Sequence, residues 1–337
     1  MGPSNRVWSS SRSAVCCGSM AGATTTNWRG EHDAITSGTS VRVKSARWIL
    51  LGMKGRMKEA IWEASRARMR VLPLPSAPGS GIASHVQESQ PSKTVLVVSD
   101  VHLGTIAREQ EDAFTVWLDQ AAEAASWIVL NGDIFDFWFE YRWGTSRGYD
   151  ATLAQLRRIV DAGVRVTLMS GNHDWWGGRY LREDVGLEFL QDPITTEMAG
   201  LRTFLAHGDG LGRGDLSYRA LRLILRGRLT RFAFGLLPRR WGDRIGAGVS
   251  QTEHRWTAPG PTELARSDIL KEWALNEMGR RPDLDLLLLG HTHVPVCERL
   301  HGDRWYINSG DWVYHRSYVI LREGEDPRLV QWENEIE

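Results

Sequence analysis

Five short polar clusters, each at the end of an apolar run of strand length, constrain the fold of this chain more than any other feature. They are Ser99-Asp100-Val101-His102, Asn131-Gly132-Asp133, Gly171-Asn172-His173-Asp174, His207-Gly208-Asp209 and Gly290-His291-Thr292-His293. The apolar runs predict strands at Val95–Ser99, Trp127–Leu130, Val164–Met169, Thr203–Ala206 and Leu286–Leu289. Arg108–Ala125 and Ala151–Ala162 carry helical spacing of apolar residues, so strands alternate with helices and an α/β fold is expected. Four later runs, Val294–Arg299, Trp305–Asn308, Ser317–Leu321 and Leu329–Trp332, predict a second, mainly antiparallel sheet packed on the first.

Ligand sites in α/β sheets assemble at the carboxyl ends of strands, where all five clusters stand. Residues two apart on extended backbone share a face, so Asp100 with His102, and His291 with His293, can each point the same way. The clusters offer carboxylate, imidazole and amide oxygen without thiolate. Such a set suits Mn2+, Zn2+ or Fe, and it has too many imidazoles for Ca2+. Seven donors exceed what one tetrahedral ion uses; two ions sharing one carboxylate account for them, with Asp133 as the simplest bridge.

The remaining composition narrows the setting. With 42% apolar residues the chain has material for a sizeable core, and no uncharged apolar run reaches the roughly 18 to 20 residues of a spanning helix. Cys16, Cys17 and Cys297 form no disulfide framework, and the Met1 end lacks the pattern of a secretory signal, so a reducing cytoplasm is expected. Residues 1–92 hold 12 basic and 5 acidic side chains; of the 41 of each, the rest of the chain holds 29 and 36. The first 45 residues lack periodicity and read as disordered, 46–69 as a basic helix, and Pro73, Pro75 and Pro78 as a linker. Residues 1–92 are therefore expected to be a basic leader, with Met53, Met57 and Met69 as alternative starts, ahead of a domain over 93–337.

In this order the five clusters resemble the motifs of the calcineurin-like metallophosphoesterases, over about Thr94 to Glu337. That resemblance implies a metallophosphoesterase fold of two packed mixed β-sheets flanked by helices. Position by position it implies that Asp100, His102 and His293 hold one ion and Asn172, His207 and His291 a second, with Asp133 bridging. A centre of two ions about 3.5 to 4 Å apart serves hydrolysis at phosphorus. In similar enzymes the residue at His173, oriented by the adjacent acid, here Asp174, acts as general acid or stabilises charge on the leaving side.

Between His207 and His291 lie 83 residues, more than a strand connection needs, and a helical lid insertion is expected at about 211–280. Over 211–245 nine arginines face two aspartates. Arg219, Arg222 and Arg226 fall on one helical face and Leu221, Ile224 and Leu225 on the other, a pattern suited to a membrane interface. Base-stacking aromatics are not interleaved there, so nucleic acid is not expected as a partner. The string His207-Gly208-Asp209-Gly210, then Asp215, Tyr218, Leu221 and Arg222, resembles a narrower family, the UDP-2,3-diacylglucosamine diphosphatases of lipid A synthesis. So do Gly132-Asp133-Ile134-Phe135-Asp136-Phe137-Trp138 and Asn308-Ser309-Gly310-Asp311-Trp312.

This second resemblance implies a peripheral enzyme on the cytoplasmic side of the inner membrane, typically Mn2+ dependent. Its reaction splits the pyrophosphate of UDP-2,3-diacylglucosamine to UMP and 2,3-diacylglucosamine 1-phosphate, under a lid that shelters acyl chains. Tyr218, Arg244 and Ser250 are the implied substrate contacts. Many members carry Arg where this chain has His173, and a branch of the family has His there. The alternative is a soluble metal-dependent phosphodiesterase or nucleotide pyrophosphatase on the same metal core.

Overall fold

The computed structural model describes residues 93–213, 222–250 and 258–336, with side chains to 246 in the middle segment. The expected leader over 1–92 and Tyr218 lie outside the described residues.

Among the described residues the strands are β1 (Val95–Val98), β2 (Trp127–Asn131), β3 (Glu140–Tyr141), β4 (Gly144–Thr145), β5 (Arg165–Met169), β6 (Glu188–Leu190), β7 (Ile194–Met198), β8 (Leu201–Leu205), β9 (Leu286–Leu289), β10 (Val296–Leu300), β11 (Arg304–Asn308), β12 (Ser317–Leu321) and β13 (Arg328–Gln331). The helices are α1 (Arg108–Ala124), α2 (Asp150–Asp161), α3 (Arg228–Gly235), α4 (Arg239–Ser250) and α5 (Pro261–Arg280). One sheet runs β13-β12-β1-β2-β5-β6, a second β10-β11-β9-β8-β7, and β3 and β4 form a small hairpin.

Both large sheets are mixed. In the first, β1, β2, β5 and β6 pair in parallel while β12 and β13 are antiparallel; in the second, β8, β9 and β11 are parallel, with antiparallel edges. The four late runs therefore do not make one antiparallel sheet. β10 and β11 extend the second sheet, whereas β12 crosses back and pairs antiparallel with β1, Val97 opposite Val319. The free edge of β1 accepts it, and local patterning in the sequence carries no signal for that exchange.

Central strands read as unbroken apolar runs because both of their faces are covered. In β1, Val95 and Val97 face the second sheet with Val129, Leu205, Leu286 and Leu288, while Leu96 and Val98 turn to the other side. There α1 packs through Phe114, Trp117, Leu118 and Ala121, spaced as one helical face, beside Leu156 and Ile159 of α2. Each of the buried Leu, Ile and Phe side chains stabilises the fold by about 1.5 to 3 kcal/mol. Leu287 and Leu289 of β9 meet Leu270, Ala274 and Met278 of α5 on the far side of the second sheet. Pro261 begins α5, and the Gly260 N–H donates to Glu263 Oε2 at 3.0 Å, which stops the helix from extending backwards. The lid expected over 211–280 would include that helix; its buried stripe makes it the outer layer of the sandwich instead.

Candidate metal centre

The carboxyl ends of β1, β2 and β5 in one sheet and of β8 and β9 in the other carry the five polar clusters. The first sheet supplies Asp100, His102, Asp133 and Asn172; the second supplies His207, His291 and His293. Five of these seven, Asp100, His102, Asp133, His291 and His293, have φ between 53° and 73°. This left-handed conformation is uncommon for residues with a side chain, costs about 1 kcal/mol or more at each position, and concentrates at functional sites. Gly171 and Gly290 keep the loops close: a Cβ on Gly171 would overlap the Asp133 carboxylate, and one on Gly290 would press on Ser99 and Asp100.

Each carboxylate has one oxygen anchored and one held for the site. Asp100 Oδ2 accepts from Ser99 Oγ at 2.6 Å and from the His291 N–H at 2.9 Å, leaving Oδ1 buried without a hydrogen-bond partner. Ser99 Oγ is itself 2.7 Å from Ser309 Oγ. Asp133 Oδ1 accepts from the His173 N–H at 2.9 Å, and its Oδ2 is likewise unpartnered. Asn172 Oδ1, His207 Nε2 and His291 Nδ1 are buried in the same state. The His207 Nδ1–H donates to the Asn131 carbonyl at 2.9 Å, so Nε2 is the nitrogen that faces the site.

The donor atoms converge in three groups among the described residues: Asp100, His102 and His293; Asp133, His207 and His291; and His102, Asp136 and His173, each with its donor atoms within 4.8 Å of one another. His293 Nε2 is 3.3 Å from both Asp100 Oδ1 and His102 Nε2, and His207 Nε2 is 3.3 Å from Asp133 Oδ2. Two donors bound at about 2.1 Å to a single ion sit at comparable spacing. The first two groups contain the residues expected around each ion, with Asn172 in the loop that follows β5.

Electrostatics favour a cation here. Burial alone would raise the Asp100 and Asp133 carboxyls, but His207 and its imidazole neighbours hold both below the ordinary carboxylate range. Burial lowers His102 and His291 to about 4, so both are neutral near pH 7 with a lone pair to give. At His207 burial acts downward and is outweighed by Asp133 and Asp100, which lift it to about 10. The two carboxylates thus draw positive charge to this spot, a proton when no metal is bound and the metal when it is. Orphaned buried donors, carboxylate and imidazole chemistry, and the spacing all fit a pair of divalent ions.

His173 and Asp174 are placed differently from expectation. Asp174 does not orient His173: its oxygens accept from the Gly171 N–H at 2.6 Å and the Ile134 N–H at 2.9 Å, clamping the two loops together. Burial, reinforced by Asp133, pushes its carboxyl up to about 6. His173 is held by Asp136, whose carbonyl lies 2.6 Å from Nδ1, and this aims Nε2 towards Asp133 Oδ2 at 3.9 Å. Asp136 Oδ1 also stands 3.6 Å from His102 Nδ1, where an outer partner of a metal-bound imidazole would stand. The sequence signal for Asp136 is its place three residues after Asp133.

The insert also departs from its sequence pattern. Arg222 and Arg226 turn inward, each donating to Asp209 Oδ2 at 2.9 Å. Burial would raise Asp209, but Arg226 and Arg222 hold it at about 2. The apolar side chains face outward: Ile224 is 62% exposed, Leu229 80%, Phe232 65% and Trp241 55%. Phe234 secures α3 against Phe139 of the loop before β3, ring centroids 4.9 Å apart, and Tyr141 donates to Asp243 of α4 at 2.9 Å. Arg244 is exposed on α4, and Ser250 ends that helix. Arg219 and Leu221 lie outside the described residues. No helix among the described residues is long and apolar enough to cross a membrane.

Comparison with known proteins agrees with this geometry. The calcineurin-like phosphoesterase family matches residues 93–295. A UDP-2,3-diacylglucosamine hydrolase of Porphyromonas gingivalis (strain ATCC BAA-308 / W83) is 31% identical over 245 residues, covering 67% of this chain and 93% of the relative. One from Nitrosococcus oceani is 30% identical over 218 residues, covering 64% and 86%; one from Ralstonia nicotianae is 29% identical over 258 residues, covering 73% and 94%. With strand-end carboxylates and imidazoles gathered as such chemistry requires, and the family's span taking in all five clusters, the chain belongs to the calcineurin-like phosphoesterases.

Proposed function

We propose that this phosphoesterase hydrolyses the pyrophosphate bond of UDP-2,3-diacylglucosamine to UMP and 2,3-diacylglucosamine 1-phosphate, as a peripheral enzyme on the cytoplasmic face of the membrane. The observation that carries the reading is the insert, whose outward apolar side chains are anchored through Arg226 to the loop bearing Asn172. A water-soluble ester gives such a surface nothing to do, whereas acyl chains and the membrane that presents them would cover it. The names of the relatives point to the same substrate.

In this reading Asp100, His102 and His293 would hold one divalent ion and Asn172, His207 and His291 the other, with Asp133 shared between them; Mn2+ is the metal proposed. Such a pair would supply an activated water and charge stabilisation for the displacement at phosphorus. His173, its Nδ1–H donating to the Asp136 carbonyl, keeps Nε2 for proton transfer to the leaving oxygen. Arg244 and Ser250 on α4, with Tyr218, contact the headgroup.

Replacing Leu229 and Phe232 by Ser tests the reading at little risk to the fold, because both are mostly exposed. KM for UDP-2,3-diacylglucosamine is expected to rise about 100-fold, at about 1.5 kcal/mol for each of the two apolar side chains withdrawn from the acyl chains, while an aryl phosphodiester is turned over unchanged. Equal effects on both substrates, or none, would contradict a lipid-binding insert and favour a soluble phosphodiesterase.

A further inference from the structure

Two residues beyond His207, the buried Asp209 gathers polar partners that the phosphoryl chemistry does not require. Its Oδ2 accepts from Arg222 Nη1 and from Arg226 Nη2, and Arg222 Nη1 also donates to the Asp209 carbonyl. The Arg226 guanidinium lies over the Trp175 ring, 4.9 Å from its centroid, and its Nη2 is 3.4 Å from the carbonyl of Gly171, the residue before Asn172. Beside it, the Trp176 Nε1–H donates to the Leu225 carbonyl at 3.2 Å. The start of the insert is thereby fastened to both chain segments that carry His207 and Asn172.

A buried carboxylate between two guanidiniums is an uneconomical way to pack a loop, since desolvating three charges offsets most of their attraction. Apolar side chains of similar volume would hold the insert as firmly. What the charges add is a fixed arrangement: a guanidinium can satisfy Asp209 and reach Gly171 only when the insert is seated and both loops are in register.

We propose that Asp209, through Arg222 and Arg226, is a positioning residue that couples seating of the insert to occupancy of the second ion position. The inference rests on the reading above that Asn172, His207 and His291 hold that ion. Coupling of this kind is reciprocal, so the ion must tighten the insert by the factor by which the insert tightens the ion.

The test uses the full chain and Mn2+ alone, without substrate. Calorimetric titration of the metal-free wild type should show two binding events. In Asp209→Asn the first should be unchanged and the second about 5- to 150-fold weaker, the usual range for coupling between two sites. Asp209→Glu should restore part of the affinity. Arg226→Gln, which keeps Arg222 on Asp209, should move the second event in the same direction, and it serves as the test should Asp209→Asn fail to fold by circular dichroism. The second readout is tryptic cleavage at the arginines between 222 and 244, mapped by mass spectrometry. Mn2+ should slow it in the wild type and leave it unaltered in both variants, an effect that a merely structural role would not produce. Wild-type affinity for both ions in Asp209→Asn and Arg226→Gln, or equal protection by Mn2+ in all three proteins, would overturn the coupling while leaving the two-ion reading intact. Fewer than two ions on the wild type would overturn the reading itself, and the coupling with it.

Discussion

Asp133→Ala is expected to abolish turnover and to reduce the bound metal below two ions per chain. Its two oxygens do different work: Oδ1 holds the His173 amide at 2.9 Å, and the buried Oδ2 has no hydrogen-bond partner and stands 3.3 Å from His207 Nε2. Removing Oδ1 strands one buried N–H, at about 1 to 3 kcal/mol, which a domain with this core should survive. In the proposed reading, removing Oδ2 takes away the charge shared by the two ions. The rate should fall beyond the roughly 10²- to 10³-fold that loss of one transition-state hydrogen-bond donor brings. Asp133→Asn separates the two roles, because it keeps an oxygen for the amide and loses the negative charge. Both variants should be folded by circular dichroism and metal-poor by elemental analysis. Undiminished activity with two ions retained in either would remove Asp133 from the centre.

His173→Ala is expected to keep both ions and lose about 10²- to 10⁴-fold in rate, the range for a positioned general acid. The ring stands beside the seven proposed ligands and is not one of them, with Nδ1 2.6 Å from the Asp136 carbonyl and Nε2 3.9 Å from Asp133 Oδ2. An ester whose leaving group departs without protonation should show a much smaller defect. Loss of metal in this variant would show that the residue supports the centre and does not act on the leaving oxygen.

The strand-end clusters were legible in the sequence because the central strands are covered on both faces and leave unbroken apolar runs, such as Leu286–Leu289, next to short polar turns. Not every edge strand carries such a signal. In β7, Ile194 and Met198 are buried and the three residues between them are not, a pattern too weak to separate from a loop. The split of the four late strands between sheets was equally hidden, since β12 follows a turn that looks the same whichever edge it joins. Within the site, residue type disclosed the candidate ligands but not their supports. Ser99, Asn131 and Asp136 act through hydrogen bonds and close approaches that only the assembled loops show.

The arginines between 219 and 226 show the same limit from another side. Their helical spacing was legible, but which face turns inward depends on Asp209, a partner that lies 13 residues before Arg222 and 17 before Arg226. Once Asp209 draws both guanidiniums in, the apolar side chains of the insert are left outside. The expectation that this arginine face meets headgroups gives way to one in which Leu229, Phe232 and their neighbours meet lipid.

Product analysis decides whether the lipid nucleotide is the substrate. The purified full chain, loaded with Mn2+, is incubated with UDP-2,3-diacylglucosamine, and the products are identified by mass spectrometry beside a reaction containing a chelator. UMP and 2,3-diacylglucosamine 1-phosphate are expected in equal amounts, formed only with metal. An intact lipid nucleotide, in a preparation that hydrolyses water-soluble phosphodiesters with the same metal, would contradict the proposed function.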